Sequence, residues 1–322
     1  MSRTPLLLTL AAAACGTDAD SADGPRPWSY PLDDTLRLTD GQVVATPNSY
    51  HLQPESSLED WAYSMPTLRE QLGLGVRGFE LDFHQEAGGF PVYHVVALDD
   101  QSTCPDLDAC LGELAAWSAD NPGHFPLFVQ LEPKDDAGGD PITDWDGLDD
   151  TLRNAGPPVF TPADLRGDHT TLAEAVAADG WPTLGALRGH VIFGMDDDGE
   201  HRDAYRARGE GVIFMDSAPG DPDAAFAVVN DPADPALPAL LAAHFLTRVF
   251  ADSATDEPSL RPALRDAAVA SGAHHLSTDF PQGDGTEPAF VLPDGAPVRC
   301  APLTAPSACT PEALEDPAFI VP

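Results

Sequence analysis

The segment from Val76 to His84 constrains the fold of this chain more than any other stretch. Successive side chains of a strand point to opposite faces, so Glu80, Asp82 and His84 share one face while the residues between them are apolar. Carboxylates on a covered face need partners that offset their lost hydration. A bound cation is the simplest such partner, and carboxylate oxygens suit calcium or magnesium better than zinc.

Two further segments carry residues of the same chemical kinds. A short strand is predicted over Val92–Val95, with His94 inside it and Asp99 shortly after it. Another apolar run ends at Glu132, and Lys134 follows closely. Metal-binding carboxylates beside a histidine that can transfer protons are typical of a metal-assisted phosphoryl-transfer site. The plainer interpretation of the last pair is a strand-end glutamate in solvent, loosely paired with the lysine.

The order of the predicted elements favours one α/β domain, a single TIM-type (β/α)8 barrel that is not necessarily regular. Strands are predicted at Val43–Thr46, Arg77–Phe83, Val92–Val95, Pro126–Glu132, Val191–Gly194, Val212–Met215, Leu246–Phe250 and His275–Thr278. Helices are predicted at Leu58–Gln71, Leu107–Asp120, Asp144–Asn154, Thr171–Asp179, Ala236–Ala243 and Ser259–Ser271. The chemistry of such barrels lies at the C-terminal ends of the strands. At or just past those ends come Asn48, Asp82, His94, Glu132, Asp196 and Asp279.

The N-terminal segment has the features of a bacterial export signal. A short apolar run after Arg3 ends at Cys15, and it is too short to span a bilayer. We therefore expect residues 1–15 to be a signal peptide with a lipoprotein-type cysteine, 16–41 an acidic tether and N-terminal arm, and 42–322 the barrel. Lipid on Cys15 would hold the protein at the bacterial cell envelope, on the outer membrane or the surface. A plain signal peptide on a secreted protein and a buried apolar arm are the alternatives.

The charge of the chain limits its partners. Acidic residues outnumber basic ones by 53 to 16, for a formal net charge of −37. This charge argues against nucleic acid and against an anionic membrane surface as the main partner. A heavily hydrated surface suited to a salty medium explains the excess of acidic residues. We expect the protein to be a monomer. A phosphodiester substrate needs a metal ion and local basic groups to reverse the sign of the charge at the site.

The remaining cysteines are predicted to form two local disulfides. Cys104 lies near Cys110, and Cys300 lies near Cys309. An exported protein can form such bonds, and no histidines stand at zinc-site spacing from either pair. Reduced, buried thiols in a cytosolic protein are the alternative.

Several ordered motifs resemble the calcium-dependent phosphatidylinositol-specific phospholipase C family, a secreted bacterial group within the phosphodiesterase TIM-barrel superfamily. The resemblance runs from about Thr46 to Pro281. Its most specific parts are Asn48 to Tyr50, Gly78 to Asp82, His94 with Asp99 and Cys104, Cys110 to Trp117, His124, Pro126, and Glu132 with Lys134. It implies a phosphoric diester hydrolase or lyase that acts on phosphatidylinositol-like lipids or their headgroup diesters with Ca²⁺.

The resemblance also implies a role for individual residues. Asn48, Glu80, Asp82 and Glu132 are expected to bind the calcium ion, and Lys134 and Arg248 to contact the substrate. His94 is expected to act as general acid toward the leaving group, while Glu80 or Glu132 takes the proton of the attacking inositol hydroxyl. Intramolecular attack then gives a cyclic phosphodiester.

The chain departs from the family pattern at two positions. Pro47 stands between Thr46 and Asn48, where the family has a catalytic histidine, and proline has no proton to donate. His51 and His84 are candidate substitutes. In addition, Phe250 stands where the family tends to have an arginine.

Two other functions are compatible with these residues. One is a catalytically impaired calcium-dependent surface binding protein, motivated by Pro47. Another is a glycerophosphodiester phosphodiesterase, although that group has arginine and glycine where this chain has Ser49 and Tyr50. Finally, the acidic run Asp196–Glu200 lacks the glycine of an EF-hand loop, so we assign it to a solvated loop.

Overall fold

The barrel is formed by eight parallel strands in one sheet. A computed structural model describes residues 28–54, 61–135, 140–283, 285 and 287–321. The strands are β1 (Gly41–Thr46), β2 (Val76–Phe83), β3 (Leu127–Pro133), β4 (Val191–Met195), β5 (Ile213–Met215), β6 (Phe226–Asn230), β7 (Leu246–Asp252) and β8 (His275–Thr278). Their order is β5-β4-β3-β2-β1-β8-β7-β6. The predicted TIM-type α/β fold is confirmed.

The ring closes weakly between β5 and β6. The junction is a parallel bridge between Asp216 and Phe226, with the Ser217 amide donating to the Phe226 carbonyl at 3.1 Å. The short connection between these strands cannot hold a crossover helix, so β6 begins beside the end of β5. The barrel is therefore least regular at this junction.

The other connections carry most of the helices. They are α1 (Leu68–Gly73), α2 (Leu107–Asp120), α3 (Trp145–Arg153), α4 (Pro162–Arg166), α5 (Leu172–Asp179), α6 (Leu184–Leu187), α7 (Glu200–Ala207), α8 (Leu237–Ala242) and α9 (Arg261–Ser271), with α10 (Pro311–Leu314) after the barrel. Among the described residues, no helix combines the length and apolar character needed to cross a membrane.

The C-terminal segment covers the N-terminal ends of the strands. Strand β9 (Val298–Cys300) pairs antiparallel with the start of β1, and Glu315 forms a buried ion pair with Arg77 at 2.6 Å. Disulfides join Cys300 to Cys309 and Cys104 to Cys110, as predicted. This end of the barrel is thus closed, and the opposite end stays available for a site.

Two glycines let large rings fill the barrel interior. A Cβ on Gly194 would lie 2.5 Å from the Phe128 ring and 3.0 Å from Phe226, and one on Gly78 would lie 3.0 Å from His275. The Phe128 and His275 rings stack at 4.7 Å between centroids. The lower half of the interior is therefore packed with side chains, and polar groups gather above it.

Two predicted elements are wrong. Val92–Val95 is not a barrel strand; it makes only isolated bridges, to Phe83 at the end of β2 and to Asp99 in the following loop, and β6 takes the eighth place in the barrel. The helix predicted over Leu58–Gln71 begins only at Leu68, and the first part of that range lies outside the described residues. The start is set by a capping box in which the Glu70 amide donates to the Thr67 hydroxyl and the Glu70 carboxylate accepts from the Thr67 amide. Strands β6 and β9 and helices α4, α6, α7 and α10 were not predicted.

The cap of α1 gives a testable expectation. Thr67→Ala removes the acceptor for the Glu70 amide, so the free energy of unfolding should fall by about 1 kcal/mol. Urea titration followed by circular dichroism measures the change. Thr67→Ser keeps the hydroxyl and should stay close to wild type, and equal losses in both variants would contradict the capping role.

Candidate active site

Three acidic residues converge where β2, β3 and β4 end. Asp82 pairs in register with Glu132, and Asp196 directly follows β4 beside Glu132. Glu80, Glu132 and Asp196 each offer one carboxylate oxygen, and these oxygens all lie within 4.8 Å of one another. We call the C-terminal ends of the barrel strands the barrel mouth, and these residues with Asp82 the acidic cluster.

Glu80 is held from two sides. Its Oε2 accepts a hydrogen bond from Arg248 at 2.9 Å, and its Oε1 accepts one from the Asn48 amide at 3.3 Å. Asn48 has a φ of 41°, a left-handed conformation that asparagine tolerates better than most residues. The predicted ligand after β1 therefore lies directly against the first predicted ligand of β2.

Asp82 is the most unusual member of the cluster. It is fully buried, and neither of its carboxylate oxygens accepts a hydrogen bond of good geometry. Lys134 Nζ lies 3.3 Å from Oδ2 and also forms an ion pair with Glu132. A buried carboxylate with so few partners is costly unless another cation approaches it.

Burial shifts the protonation of the whole cluster. It raises the pKa of Glu80 to about 8, against the opposing effect of Arg248, and the charges of Asp196 and Glu132 add to the rise. Burial also raises the pKa of Asp82 well above its ordinary value and, despite Lys134, raises the pKa of Glu132. The acids repel one another when ionised, and a divalent cation would relieve that repulsion.

The donor set fits calcium. Calcium binds six to eight oxygens at about 2.3–2.6 Å, so two oxygens of one coordination sphere can lie up to about 5 Å apart. The 4.8 Å limit within the cluster satisfies this geometry, and the oxygens of Asp82 remain available. Asn48 can supply a neutral oxygen, which at present accepts from the Tyr50 hydroxyl at 3.2 Å.

Proton competition makes a pH dependence expected. Because burial raises the pKa of Glu80 to about 8, calcium must displace a proton at lower pH. The affinity should therefore fall by about tenfold or more between pH 8 and pH 6. Calorimetric titration in buffers of different ionisation enthalpy measures both the affinity and the protons released. Equal affinity at both pH values would contradict the shifted pKa.

His94 lies beside the cluster in the loop after β2. Its Nδ1 is 2.8 Å from Asp99 Oδ2, and the edge of the Trp61 indole meets the ring at 5.6 Å between centroids. The side chain is 23% exposed, whereas that of Asp99 is fully buried. With Nδ1 engaged, Nε2 is the atom left to exchange a proton at the mouth.

The two candidate substitutes for the missing histidine have other partners. His51 is buried and its Nε2 lies 2.9 Å from Asp99 Oδ1. His84 stacks on Tyr93 at 3.7 Å between centroids, and its Nε2 lies 3.0 Å from the Tyr93 carbonyl oxygen. The Nε2 atom of each ring is therefore engaged by another group.

Arg248 and Lys134 both belong to the mouth. Arg248 bonds Asn230 as well as Glu80, and its guanidinium lies 3.8 Å from the centroid of the Phe250 ring. The Phe250 ring therefore packs against the guanidinium of this arginine in a cation–π contact. Each predicted substrate contact is thus tied to a carboxylate of the cluster.

The sequence places Asp196 at a strand end, but Asp196 is missing from the predicted metal ligands. The acidic run around it favours a solvated loop, yet one oxygen of Asp196 lies within 4.8 Å of oxygens of Glu80 and Glu132. The loop assignment is confirmed only for Asp197–Gly199, where Asp197 accepts from the Gly199 and Arg202 backbone amides, because Glu200 already begins α7. The available signal was position, since Asp196 closes a barrel strand as Glu132 does.

Comparisons with known proteins identify the family of this chain. Residues 84–302 match the family model described as phosphoinositide phospholipase C, Ca²⁺-dependent. The match covers more than half of the chain and includes His94, Glu132, Lys134 and Arg248; Glu80 and Asp82 lie just before it. The chain belongs to the family of Ca²⁺-dependent phosphoinositide phospholipases C, so the resemblance in the sequence is confirmed.

Solved structures share the fold. A Ca²⁺-dependent phosphatidylinositol-specific phospholipase C from Streptomyces antibioticus is similar with a TM-score of 0.57 and 21% identity, over 76% of this chain and 95% of that one. The apo form of a calcium-dependent enzyme from a Gram-negative Pseudomonas species gives 0.57 and 19%, over 84% and 97%. A Staphylococcus aureus phosphatidylinositol-specific phospholipase C gives 0.51 and 14%, over 82% and 91%. No curated protein matches the chain.

Proposed function

We propose that this protein is a calcium-dependent phosphoric diester hydrolase of phospholipase C type that cleaves phosphatidylinositol-like lipids at the barrel mouth. The observation that carries the proposal is the acidic cluster beside His94, in a chain that belongs to the Ca²⁺-dependent phosphoinositide phospholipase C family. Family membership does not favour the glycerophosphodiester phosphodiesterase alternative.

The metal ligands in this proposal are Asn48, Glu80, Asp82 and Glu132, with Asp196 as an additional member. Their support is the shared mouth, the carboxylate chemistry and the buried oxygens of Asp82, which accept no hydrogen bond of good geometry. When bound, calcium supplies a Lewis acid that polarises a phosphoryl oxygen and neutralises developing negative charge. Arg248 orients Glu80 toward this position through the hydrogen bond at 2.9 Å.

The proton transfers fall to three residues. Glu80 or Glu132 accepts the proton of the attacking inositol hydroxyl, since a raised pKa makes a carboxylate a better base near neutral pH. His94 Nε2 gives a proton to the departing diacylglycerol oxygen. The new bond joins the inositol oxygen to phosphorus, the bond from phosphorus to the glycerol oxygen breaks, and the products are a cyclic inositol phosphate and diacylglycerol.

Lys134 and Arg248 are the proposed substrate contacts. The lysine ammonium has three hydrogens, and its pairs with Asp82 and Glu132 leave one for a phosphoryl oxygen. Both cations offset part of the acidic charge at the mouth, where an anionic substrate must approach.

An assay on lipid vesicles tests the proposal. Purified protein with calcium and phosphatidylinositol should release diacylglycerol and a cyclic inositol phosphate, and excess chelator should stop the release. Vesicles of phosphatidylcholine provide the control for headgroup selection. Calcium binding without release of either product would overturn the proposed activity.

Pro47 motivates the alternative of an impaired calcium-binding surface protein. The residue is buried just before Asn48, where the family resemblance leads us to expect a histidine. Pro47→His should raise kcat by up to about 10²-fold, because losing one donor to a developing oxyanion commonly costs at least this much. Steady-state turnover of wild type and variant at saturating calcium measures the gain, and an unchanged kcat would mean that another donor already serves.

Export and anchoring stay proposals. The signal peptide 1–15 and the tether up to residue 27 lie outside the described residues. We retain the prediction that Cys15 carries lipid and holds the barrel domain 42–322 near a bilayer, with a monomer as the working state.

A further inference from the structure

We infer that His51 is a positioning residue for His94 and that it acts through Asp99. The inference rests on the proposed function, because it concerns the general acid of that reaction. It assigns to His51 a different role from replacement of the missing donor at position 47. The ring holds a carboxylate in place and does not approach the substrate.

Asp99 lies between two imidazoles. Its Oδ2 is 2.8 Å from His94 Nδ1, and its Oδ1 is 2.9 Å from His51 Nε2. The side chains of Asp99 and His51 are 0% and 1% exposed, whereas that of His94 is 23% exposed. His94 is thus the one member of this group that reaches solvent at the mouth.

The chemistry of a carboxylate fixes the direction of both hydrogen bonds. An ionised carboxylate only accepts, so His94 donates through Nδ1 and His51 through Nε2. Both oxygens of Asp99 are then engaged, and the group cannot rotate without losing a bond. His94 consequently keeps a proton on Nδ1 and directs Nε2 toward the mouth, and the second proton that the ring binds at Nε2 is the one it gives up as general acid.

The His51 backbone and ring are also held by contacts that do not involve Asp99. The Thr103 amide donates to the Tyr50 carbonyl at 2.7 Å, and the Met65 amide donates to the His51 carbonyl at 2.8 Å. The Tyr63 ring stacks on the imidazole at 4.4 Å between centroids. The segment 101–104 ends at Cys104, whose disulfide to Cys110 ties it to α2, so the backbone beside His51 is covalently fixed to a helix.

Asp99 itself belongs to a tight turn. Its amide donates to the Val95 carbonyl at 2.8 Å and the Val95 amide donates to its carbonyl at 2.9 Å. Ala97 in the turn has a φ of 60°, a left-handed conformation that costs alanine about 1 kcal/mol. A strained turn needs outside contacts to stay in one arrangement, and the bond from His51 to Asp99 is such a contact.

His51 also connects the acid to the metal site. The His51 amide donates to the Asn48 carbonyl at 2.9 Å, and the Asn48 amide donates to Glu80. One short segment therefore bears both a proposed calcium ligand and the group that positions Asp99. The position of the general acid is therefore linked to the positions of the metal ligands.

Two substitutions at His51 separate positioning from packing. His51→Leu fills similar space without a donor, whereas His51→Gln places an amide N–H near the former Nε2. His51→Leu should lower kcat by about 10- to 100-fold with KM little changed, the size typical of lost outer-shell partners. His51→Gln should recover most of the loss. Equal losses in both variants would overturn the inference.

A double-mutant cycle tests the route through Asp99. In an Asp99→Asn background, His51→Leu should produce little further loss of kcat, because the group through which it acts has been changed. An equally large loss in both backgrounds would overturn the inference. His124→Leu provides a matched control, since His124 is a buried histidine bonded to Ser118 at 2.8 Å and has no place in the proposed site. Its effect should be on the melting temperature and not on kcat in the folded protein.

Nitrogen-15 NMR of the histidine rings gives a readout that does not depend on turnover. The His94 signals, identified by their loss in His94→Gln, should report a proton fixed on Nδ1 in wild type and mixed tautomers in His51→Leu. Identical His94 signals in the two proteins would overturn the inference. If the wild type fails to cleave phosphatidylinositol but the His94 signals shift as expected, the proposed function fails while the positioning role stands.

Discussion

Asp82→Asn is expected to remove calcium binding and to reduce kcat/KM by about 10³-fold or more. Metal-ion stabilisation of transition-state charge is worth several kcal/mol, and ~4 kcal/mol corresponds to this factor. Asp82 should be the most sensitive ligand because it is fully buried and its oxygens accept no other hydrogen bond of good geometry. An asparagine keeps the shape and loses the negative charge.

The stability of the metal-free variant separates lost binding from misfolding. Burial raises the pKa of Asp82 in the folded state, so the folded protein binds more protons than the unfolded chain above the ordinary carboxyl pKa. The contribution of Asp82 to stability therefore falls as pH rises, and at pH 8 the neutral asparagine should make the metal-free protein at least as stable as wild type. Its melting temperature should no longer respond to calcium.

Asp120→Asn is the matched control for the same chemical change. Asp120 pairs with Arg69 on the surface, where both side chains are well exposed, and such pairs contribute about 0–1 kcal/mol. Calcium affinity and turnover should match wild type. If Asp82→Asn binds calcium as tightly as this control does, the assignment of Asp82 as a ligand is wrong.

His94→Gln is expected to reduce kcat by about 10²- to 10⁴-fold while calcium affinity stays unchanged. This range is what a positioned general acid typically contributes. Glutamine is close in size and can still hydrogen-bond Asp99, but it cannot release a proton to the leaving oxygen. Steady-state kinetics on phosphatidylinositol and calcium titration of the same sample measure both quantities.

The leaving group provides a sharper test of the role of His94. A substrate with a nitrophenol leaving group needs little protonation, so His94→Gln should lose much less activity on it than on the natural diester. His169→Gln is the control, since His169 pairs with Asp179 on the surface at 2.7 Å and has no role in the proposed site. Equal losses on both substrates would contradict general-acid catalysis by His94.

The parts of the fold that sequence could predict are those in which pattern and burial agree. Strands β2 and β3 alternate or run apolar up to an acid at the C-terminal end, and α2 was predicted over its full length from Leu107 to Asp120. The segment Val92–Val95 has the same local composition, but it makes only isolated antiparallel bridges, to Phe83 at the end of β2 and to Asp99. Local pattern does not report which neighbour a strand will meet.

Site residues at the C-terminal end of a strand could be predicted from the sequence. A residue that acts on the site through another side chain could not. Glu80, Asp82 and Glu132 followed from strand position, and Asp196 obeys the same rule although its acidic surroundings favoured a solvated loop. The contact of His51 with Asp99 depends on how two loops pack, which no local spacing encodes. Pairings of this kind require the tertiary structure.

Crystals grown with calcium, and measured for its anomalous scattering, would test most directly whether the barrel mouth is a metal site. We expect one strong peak surrounded by carboxylate oxygens of Glu80, Asp82 and Glu132, with Asp196 and Asn48 adjacent. A mouth without a peak, in crystals whose solution calcium far exceeds the measured dissociation constant, would contradict it. So would a peak bound only by surface acids elsewhere on the chain.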